Sequence, residues 1–417
     1  MELNRIIPRL IRFNLWSLFG YSRLKRSYRS KEKNGKIKIV FFVNRANTWN
    51  SSREVYRVAS ANENITSYIA VMPSVKVGGI DKTDKSSIDY IRKSEKGNII
   101  EMYDSENDSY FDIRAIDPDY IFIDIPYDKD SPEDYKIKSL ARIAKVCYIS
   151  YGYTMKKSKL QKSTVRLAVA SCASYIFSCN DTMYEYYARH MFLSERINGK
   201  RLYNIGYPRF DMYDTVPQSD GSETKTILWL PRWVTSVGKE KRNNEPSFFF
   251  ELKDKLLDYV AVRSGTKLIA RPHPFAFDNY IKHGLMTEAE VEAYKRRIEQ
   301  ADNMELDTDP DYVKSLIGSD ILIADFTSML AEYFVLDRPI IYFGNGDNYP
   351  PENIGMYNSF YHVKSWDEAE KVLDALLSGD DPKKEQRHKA VEDFRKKMPH
   401  NVAARIVDMI VEDYRKG

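Results

Sequence analysis

The chain has 417 residues, of which 43% are hydrophobic and 30% charged, with a formal net charge of +4. That length suits two α/β domains plus additional elements better than one ordinary core, and the balance excludes a disordered chain. The mild basic excess makes no case for nucleic acid. Cys147, Cys172 and Cys179 are odd in number and form no CxxC pair, so they read as buried thiols in a reducing compartment. The six histidines show no metal-ligand spacing.

The N-terminal segment, residues 1–34, is distinctive. No acid occurs from Arg5 to Ser30, whereas Arg5, Arg9, Arg12, Arg23, Lys25, Arg26 and Arg29 alternate with Ile7, Leu10, Ile11, Leu15, Trp16, Leu18 and Phe19. The uncharged run Phe13–Ser22 is too short to span a bilayer, and no signal-peptide cleavage site follows it. A basic amphipathic helix with Trp, Phe and Leu is expected here, lying on an anionic membrane surface. The plainer alternative is a helix that packs on the protein with its arginines in water.

Residues 35–210 alternate apolar runs with helical patterns. The runs are Ile37–Val43, Ser67–Val71, Asn98–Met102, Tyr120–Ile125, Val146–Ser150, Tyr175–Ser178 and Leu202–Gly206. Helix-like stretches such as Ser131–Ala144 and Thr164–Ala173 lie between them. Runs rich in Val, Ile and Tyr suit strands buried on both faces, so the series predicts a mostly parallel sheet. The polar stretch Pro208–Lys225 carries Pro208, Pro217 and Gly221 and marks a boundary. Residues 211–380 repeat the pattern with runs at Ile227–Leu230, Lys267–Arg271, Met304–Leu306, Ile321–Ala324 and Ile340–Phe343. Helices are expected near Pro246–Val262, Thr287–Gln300, Pro310–Ile317, Ser328–Leu336 and Trp366–Leu377, and residues 381–417 read as C-terminal helices broken at Pro399. The expected fold class is α/β: a GT-B-like pair of Rossmann-type doubly wound parallel-sheet domains facing a cleft.

Ligands of doubly wound sheets bind beyond the carboxyl ends of the strands. In the second domain those ends carry Pro231-Arg232-Trp233, Arg271-Pro272-His273-Pro274, Asp325-Phe326-Thr327-Ser328 and Gly344-Asn345-Gly346-Asp347. Two arginines, an imidazole and two hydroxyls at an expected helix start suit a nucleotide diphosphate. Arginine makes forked, charge-assisted bonds to phosphate oxygens, and a helix start favours an anion. His273, stiffened by Pro272 and Pro274, can donate to a phosphate or serve as a general acid. Each residue also has a plainer reading: Thr327 or Ser328 as an N-cap, Asp325 as a loop acid, Arg232 as a surface ion-pair partner. In the first domain, Ser150-Tyr151-Gly152-Tyr153-Thr154-Met155-Lys156-Lys157 is aromatic and basic, and suits either an acceptor phosphate or sugar or a solvated loop. Nearby, Arg209 and Asp211 read as a pair, with Gly206 and Pro208 shaping the linker.

These blocks resemble the CDP-glycerol glycerophosphotransferase family, the teichoic-acid primases and polymerases of the GT-B fold, in patches over roughly residues 145–412. Ser319–Ser328 looks like the family's SDxLITDYSS. Glu332-Tyr333 and Asp337–Tyr342 look like its D-Y and KPIIFY. Arg271–Pro274 is similar to R-x-H-P, Leu228–Trp233 to Y-A-P-T-W, and Ile205–Asp211 to GYPRxD, while Asn401–Ile410 looks like its closing helix. The resemblance implies a CDP-alditol donor, attack of an acceptor hydroxyl on the phosphate next to the alditol, and release of CMP. It assigns the pyrophosphate to His273, Thr327, Ser328, Arg232 and Arg271, with Asp325 in the same block, and the ribose or alditol to Glu332. Gly152, Lys156 and Arg209 fall on the acceptor side. Where the family has H-G-T-P-L-K, this chain has Tyr151-Gly152-Tyr153-Thr154-Met155-Lys156, so Tyr151 replaces a histidine that is a candidate base. A phenol is a poor base at neutral pH. Asp124 and Asp128, at a first-domain strand end, are the substitutes.

The leading expectation is therefore an alditol-phosphate transferase, using CDP-glycerol or CDP-ribitol and a lipid-linked or polysaccharide acceptor of teichoic-acid or capsule type. It would work in the cytoplasm, peripheral on the inner face of the cell membrane, with no nucleic-acid partner. A GT-B glycosyltransferase with a nucleotide-sugar donor and a catalytically silent nucleotide-binding subunit are the alternatives. No cofactor is assigned. Asp325 and Asp347 could help hold Mg²⁺, though no dedicated cage is evident.

Overall fold

The computed structural model describes residues 3–28, 35–76, 79–127, 131–156, 167–216, 224–235, 247–344 and 349–416. The chain divides into two compact units, residues 1–212 with 399–417 and residues 213–398.

The first unit is built on seven strands: β1 (Ile37–Val43), β2 (Ile65–Val71), β3 (Asn98–Glu101), β4 (Tyr120–Ile123), β5 (Lys145–Ile149), β6 (Tyr175–Ser178) and β7 (Leu202–Asn204). Within this seven-stranded sheet the pairings are parallel, in the order β7-β6-β5-β4-β1-β2-β3. Every residue of β4 is buried, and β1 is buried at six of its seven positions, because helices cover both faces of such a sheet. Ile39 and Phe41 pack with Val55 of helix Asn50–Ala61 and with Val402, Ile406 and Ile410 of the last helix, Val402–Lys416. The two expected C-terminal helices thus part company: Lys384–Lys397 counts with the second unit, while Val402–Lys416 counts with the first. Asp413 ties the last helix down, accepting from Lys145 Nζ at 2.7 Å and Tyr120 Oη at 2.5 Å. Gly206 makes room for the returning chain. Its φ is +101°, and a Cβ there would lie 3.1–3.2 Å from Val402 and Pro399.

Residues Leu3–Tyr28 form one helix. Its inner face docks on the unit through Phe13, Ser17, Tyr21 and Leu24, all buried. Asn14 donates to the Arg189 carbonyl (2.9 Å), Ser17 to the Ala170 carbonyl (2.8 Å), and the Arg201 guanidinium lies 3.9 Å from the Tyr21 ring centroid. The outer face exposes Ile11, Leu15, Trp16 and Phe19, the last at 66%. The inner face matches the reading of a helix packed on the protein. Among the described residues no helix is long and apolar enough to cross a membrane. The expected helix Ser131–Ala144 is shorter, a 3₁₀ turn at Glu133–Tyr135 followed by Ile137–Ile143, because Lys136 between them is extended.

The second unit holds six parallel strands: β8 (Lys225–Leu230), β9 (Thr266–Ala270), β10 (Met304–Leu306), β11 (Ile321–Ala324), β12 (Ile340–Phe343) and β13 (Tyr361–Val363). Their order is β10-β9-β8-β11-β12-β13. Strand β13 has no counterpart among the expected runs, since only Val363 of its three residues is buried. Helix Glu288–Glu299 begins with a reciprocal capping box between Thr287 and Glu290. In both units the order reverses beside the first strand of the series. The loops after β1 and β4, and after β8 and β11, thus flank the position where doubly wound sheets bind ligands.

Candidate active site

At the second unit's switch point, Arg232 follows β8 and Asp325 follows β11. Asp325 is buried and clasps the Arg232 loop: Oδ2 accepts the Arg232 N–H at 2.8 Å and Oδ1 the Phe248 N–H at 3.3 Å. The Arg232 carbonyl accepts the Ser247 hydroxyl at 2.5 Å. Burial pushes the Asp325 carboxyl up to about 7, against the pull of bonds from the Arg232 N–H, Ser247 and the Phe248 N–H and of the Arg232 charge. Asp325 thereby holds the Arg232 and Phe248 segments together. Asp347 and its neighbours Asn345 and Gly346 lie outside the described residues. The Arg232 guanidinium carries the opposite sign of this arrangement: its Nη1 is buried and has no hydrogen-bond partner. A buried charged donor left open is costly unless an anion arrives to meet it.

His273 stands beside Arg232's neighbour. It is exposed, with its ring centroid 5.9 Å from Trp233 and 5.4 Å from Phe275. Its Nδ1 accepts the Phe275 N–H at 3.1 Å, which assigns the proton of the neutral ring to Nε2. An Nε2–H donor suits a phosphate oxygen or a leaving group. Thr327 and Ser328 are half-buried just before helix Met329–Phe334. The Thr327 hydroxyl accepts the Met329 N–H at 3.4 Å, whereas Ser328, at the N-cap, makes no side-chain cap bond.

Two residues expected at the ligand have partners within the protein. Arg271 is 8% exposed; it pairs with Asp307 Oδ2 at 2.6 Å and donates to the Asp309 carbonyl at 2.5 Å. Its forked bonds go into the protein, where Ser315 donates to the same Asp307 oxygen. Glu332 is 0% exposed, and its two oxygens accept the hydroxyls of Tyr213 (2.7 Å) and Tyr312 (2.8 Å). It braces the unit's interior. Arg271 and Glu332 are linked through Tyr312, whose ring centroid lies 5.7 Å from the guanidinium.

In the first unit, Asp124 follows β4 and is 2% exposed, and its Oδ1 has no hydrogen-bond partner. Burial pushes its carboxyl up to about 7, while Thr48 and Ser51 hydroxyls and the Arg45 charge pull it down. The Asp124 carbonyl accepts the Tyr151 N–H at 3.1 Å. Tyr151 is 39% exposed, edge-on to Tyr127 with centroids 6.5 Å apart. The Gly152 carbonyl accepts the Ser150 hydroxyl at 2.8 Å. Lys156 is 2% exposed and Arg209 is likewise buried, so neither belongs to a solvated loop. Asp128 and Lys157 lie outside the described residues. The residues that the sequence reading passed over are Arg45, Thr48 and Ser51 after β1. Applying the strand-end rule to Ile37–Val43 would have found them.

Two doubly wound parallel sheets of this order define a GT-B-like fold. A family model described as CDP-Glycerol:Poly(glycerophosphate) glycerophosphotransferase matches residues 147–412. The chain belongs to that family and is an enzyme of the glycerophosphotransferase class. No curated protein matches it. Solved structures share the fold at low identity. The wall teichoic acid polymerase TagF has 15% identity and a TM-score of 0.54, with 98% of each chain covered. A putative UDP-N-acetylglucosamine 2-epimerase from Listeria monocytogenes has 13% identity and a TM-score of 0.56, over 91% of this chain and 97% of that one. S. aureus MnaA, in a co-structure with UDP, has 11% identity and a TM-score of 0.55, over 90% and 96%.

Proposed function

We propose that this enzyme transfers an alditol phosphate from CDP-glycerol or CDP-ribitol to a hydroxyl of a lipid-linked or polysaccharide acceptor, in teichoic-acid or capsule-type polymer synthesis, and releases CMP. The observation that carries the reading is the buried, unpartnered Arg232 Nη1 at the second unit's switch point, in a chain of this family. The TagF structures support it too, since one of them was soaked with CDPG. Arg232, His273, Thr327 and Ser328 hold the pyrophosphate, while Asp325, Arg271 and Glu332 keep the surrounding loops in place. The acceptor oxygen bonds to the phosphorus bearing the alditol, and the bond from that phosphorus to the oxygen shared with CMP breaks. CMP leaves with the electron pair. Asp124 takes the acceptor's proton, a task for which a carboxyl titrating near neutrality is suited and the Tyr151 phenol is not.

A donor screen tests this. Incubation with CDP-glycerol, CDP-ribitol and a panel of nucleotide sugars is expected to release CMP from a CDP-alditol. Release of a nucleoside diphosphate from a sugar donor would instead make the chain a glycosyltransferase. Nucleotide binding without release would make it a silent subunit.

The proposed place of action is the inner face of the cell membrane. The outer face of Leu3–Tyr28 supports it: Ile11, Leu15, Trp16 and Phe19 are exposed and flanked by exposed Arg12, Arg23 and Arg26, with no acid anywhere in the helix. Replacing Ile11, Trp16 and Phe19 together by serine is expected to abolish co-sedimentation with anionic liposomes and leave turnover of a soluble acceptor intact. Undiminished co-sedimentation would overturn the membrane assignment.

A further inference from the structure

Arg232 lies beyond the end of β8, and side chains from three separate segments hold its backbone. Its N–H donates to Asp325 Oδ2, after β11, at 2.8 Å. Its carbonyl accepts the hydroxyl of Ser247, just before helix Phe249–Leu252, at 2.5 Å. The same carbonyl accepts the hydroxyl of Tyr280, within helix Ala276–Lys282, at 3.4 Å. The peptide is thus fixed through both its donor and its acceptor, while the guanidinium Nη1 stays buried with no hydrogen-bond partner. Ser247 is itself set in place, since its Oγ accepts the Phe249 N–H at 3.3 Å. Tyr280 is 0% exposed, and its ring centroid lies 4.9 Å from that of Phe249 and 5.0 Å from that of Phe250. A buried phenol needs a partner for its hydroxyl, and here the partner is the Arg232 carbonyl.

The helix that carries Tyr280 also reaches the His273 loop. Asn279 is buried, and its Nδ2 donates to the Phe275 carbonyl at 2.7 Å. The Phe275 N–H is the donor that His273 Nδ1 accepts. One short helix therefore touches the loops that carry Arg232 and His273. Packing alone would be served as well by phenylalanine at 280 and by alanine at 247. The two hydroxyls add a fixed carbonyl, and so a fixed origin for the Arg232 side chain. A charged donor stabilises a transition state best when its place is set before the ligand arrives, and a misplacement of about 1 Å can cost on the order of a hundredfold in rate. We infer that Ser247 and Tyr280 are positioning residues of the donor site, their hydroxyls holding the Arg232 backbone so that its guanidinium meets the donor's pyrophosphate. The inference rests on the transferase reading above and adds to it two residues that act on the phosphate through Arg232.

The test uses the full chain, CDP-glycerol and a synthetic oligo(glycerol phosphate). Tyr280→Phe and Ser247→Ala each remove one hydroxyl and keep the surrounding packing. Each is expected to lower kcat/KM for the donor about fivefold, the worth of one hydrogen bond, and the pair about tenfold or more. The acceptor KM should stay unchanged. Added to Arg232→Ala, the same pair should cause no further fall, because nothing is left to position. Ser247→Thr, which keeps the hydroxyl, should recover most of what Ser247→Ala loses. An unchanged donor kcat/KM in the double variant, or the same fall with and without Arg232, would overturn the inference. Should Tyr280→Phe fail to fold, Ser247→Ala carries the same comparison by itself. Should the wild type turn over no CDP-alditol, the transferase reading fails separately, and calorimetry with CDP decides the positioning. Weaker CDP binding in the double variant, with no such weakening in the Arg232→Ala background, supports it. Equal binding by the wild type and the double variant, or none by the wild type, removes it.

Discussion

Asp124→Asn is expected to lower kcat a hundredfold or more, within the range of a lost general base, while the protein stays folded. The same substitution should raise the melting temperature at pH 8, because it removes a buried charge. The folded-state carboxyl is pushed up to about 7 from an ordinary value of 3.8. For an acid raised on folding, the folded state binds the extra proton between those values. The stabilising contribution is whole below pH 3.8, fades as pH rises towards 7, and beyond that the ion's burial opposes folding in full. In the wild type, kcat/KM should therefore rise with pH and level off above about 7, where the base is ionised. The groups that act on this carboxyl are Arg45, Thr48 and Ser51, and Tyr127 and Tyr151 lie beside it. pH–rate profiles and calorimetry on both proteins check the pair of effects. Wild-type kcat in Asp124→Asn would remove Asp124 from the chemistry.

The second large effect separates two arginines that look alike in the sequence. Arg232→Ala is expected to cost a hundredfold or more in kcat/KM for the CDP-alditol, as loss of a preorganised phosphate donor does, with little change in stability. Arg271→Ala is expected to destabilise the second unit by about 3–5 kcal/mol, because it strands Asp307 as an uncompensated buried charge. Urea denaturation and steady-state kinetics on both variants read the difference. A stable Arg271→Ala that had lost donor affinity would return Arg271 to the phosphate.

The fold was legible because its strands are buried on both faces. Runs such as Tyr120–Ile123, Ile321–Ala324 and Ile340–Phe343 have no polar interruption and stand out from the helical segments between them. Tyr361–Val363 did not, being an edge strand half open to water. The positions of Arg232, His273, Thr327 and Ser328 followed from strand ends, and the Asp325 block from its resemblance to a family. The surroundings of Arg271, Glu332 and Asp325 did not follow, since each depends on a partner far along the chain. Arg271 meets Asp307, Glu332 meets Tyr213, and Asp325 meets the Arg232 and Phe248 amides. Spacing alone does not distinguish an arginine that reaches out of a sheet from one that turns into it. The Arg45–Ser51 segment was passed over for a different reason: it carries no motif, only a place at the switch point of the sheet.

The central claim is that an acceptor oxygen forms a bond to phosphorus and CMP departs. Phosphorus-31 NMR of a reaction containing CDP-glycerol and a hydroxyl-terminated oligo(glycerol phosphate) reads that bond directly. One new phosphodiester resonance for each CMP formed is the expected result. CMP accompanied only by free glycerol phosphate, or loss of donor with no new phosphodiester, would contradict it.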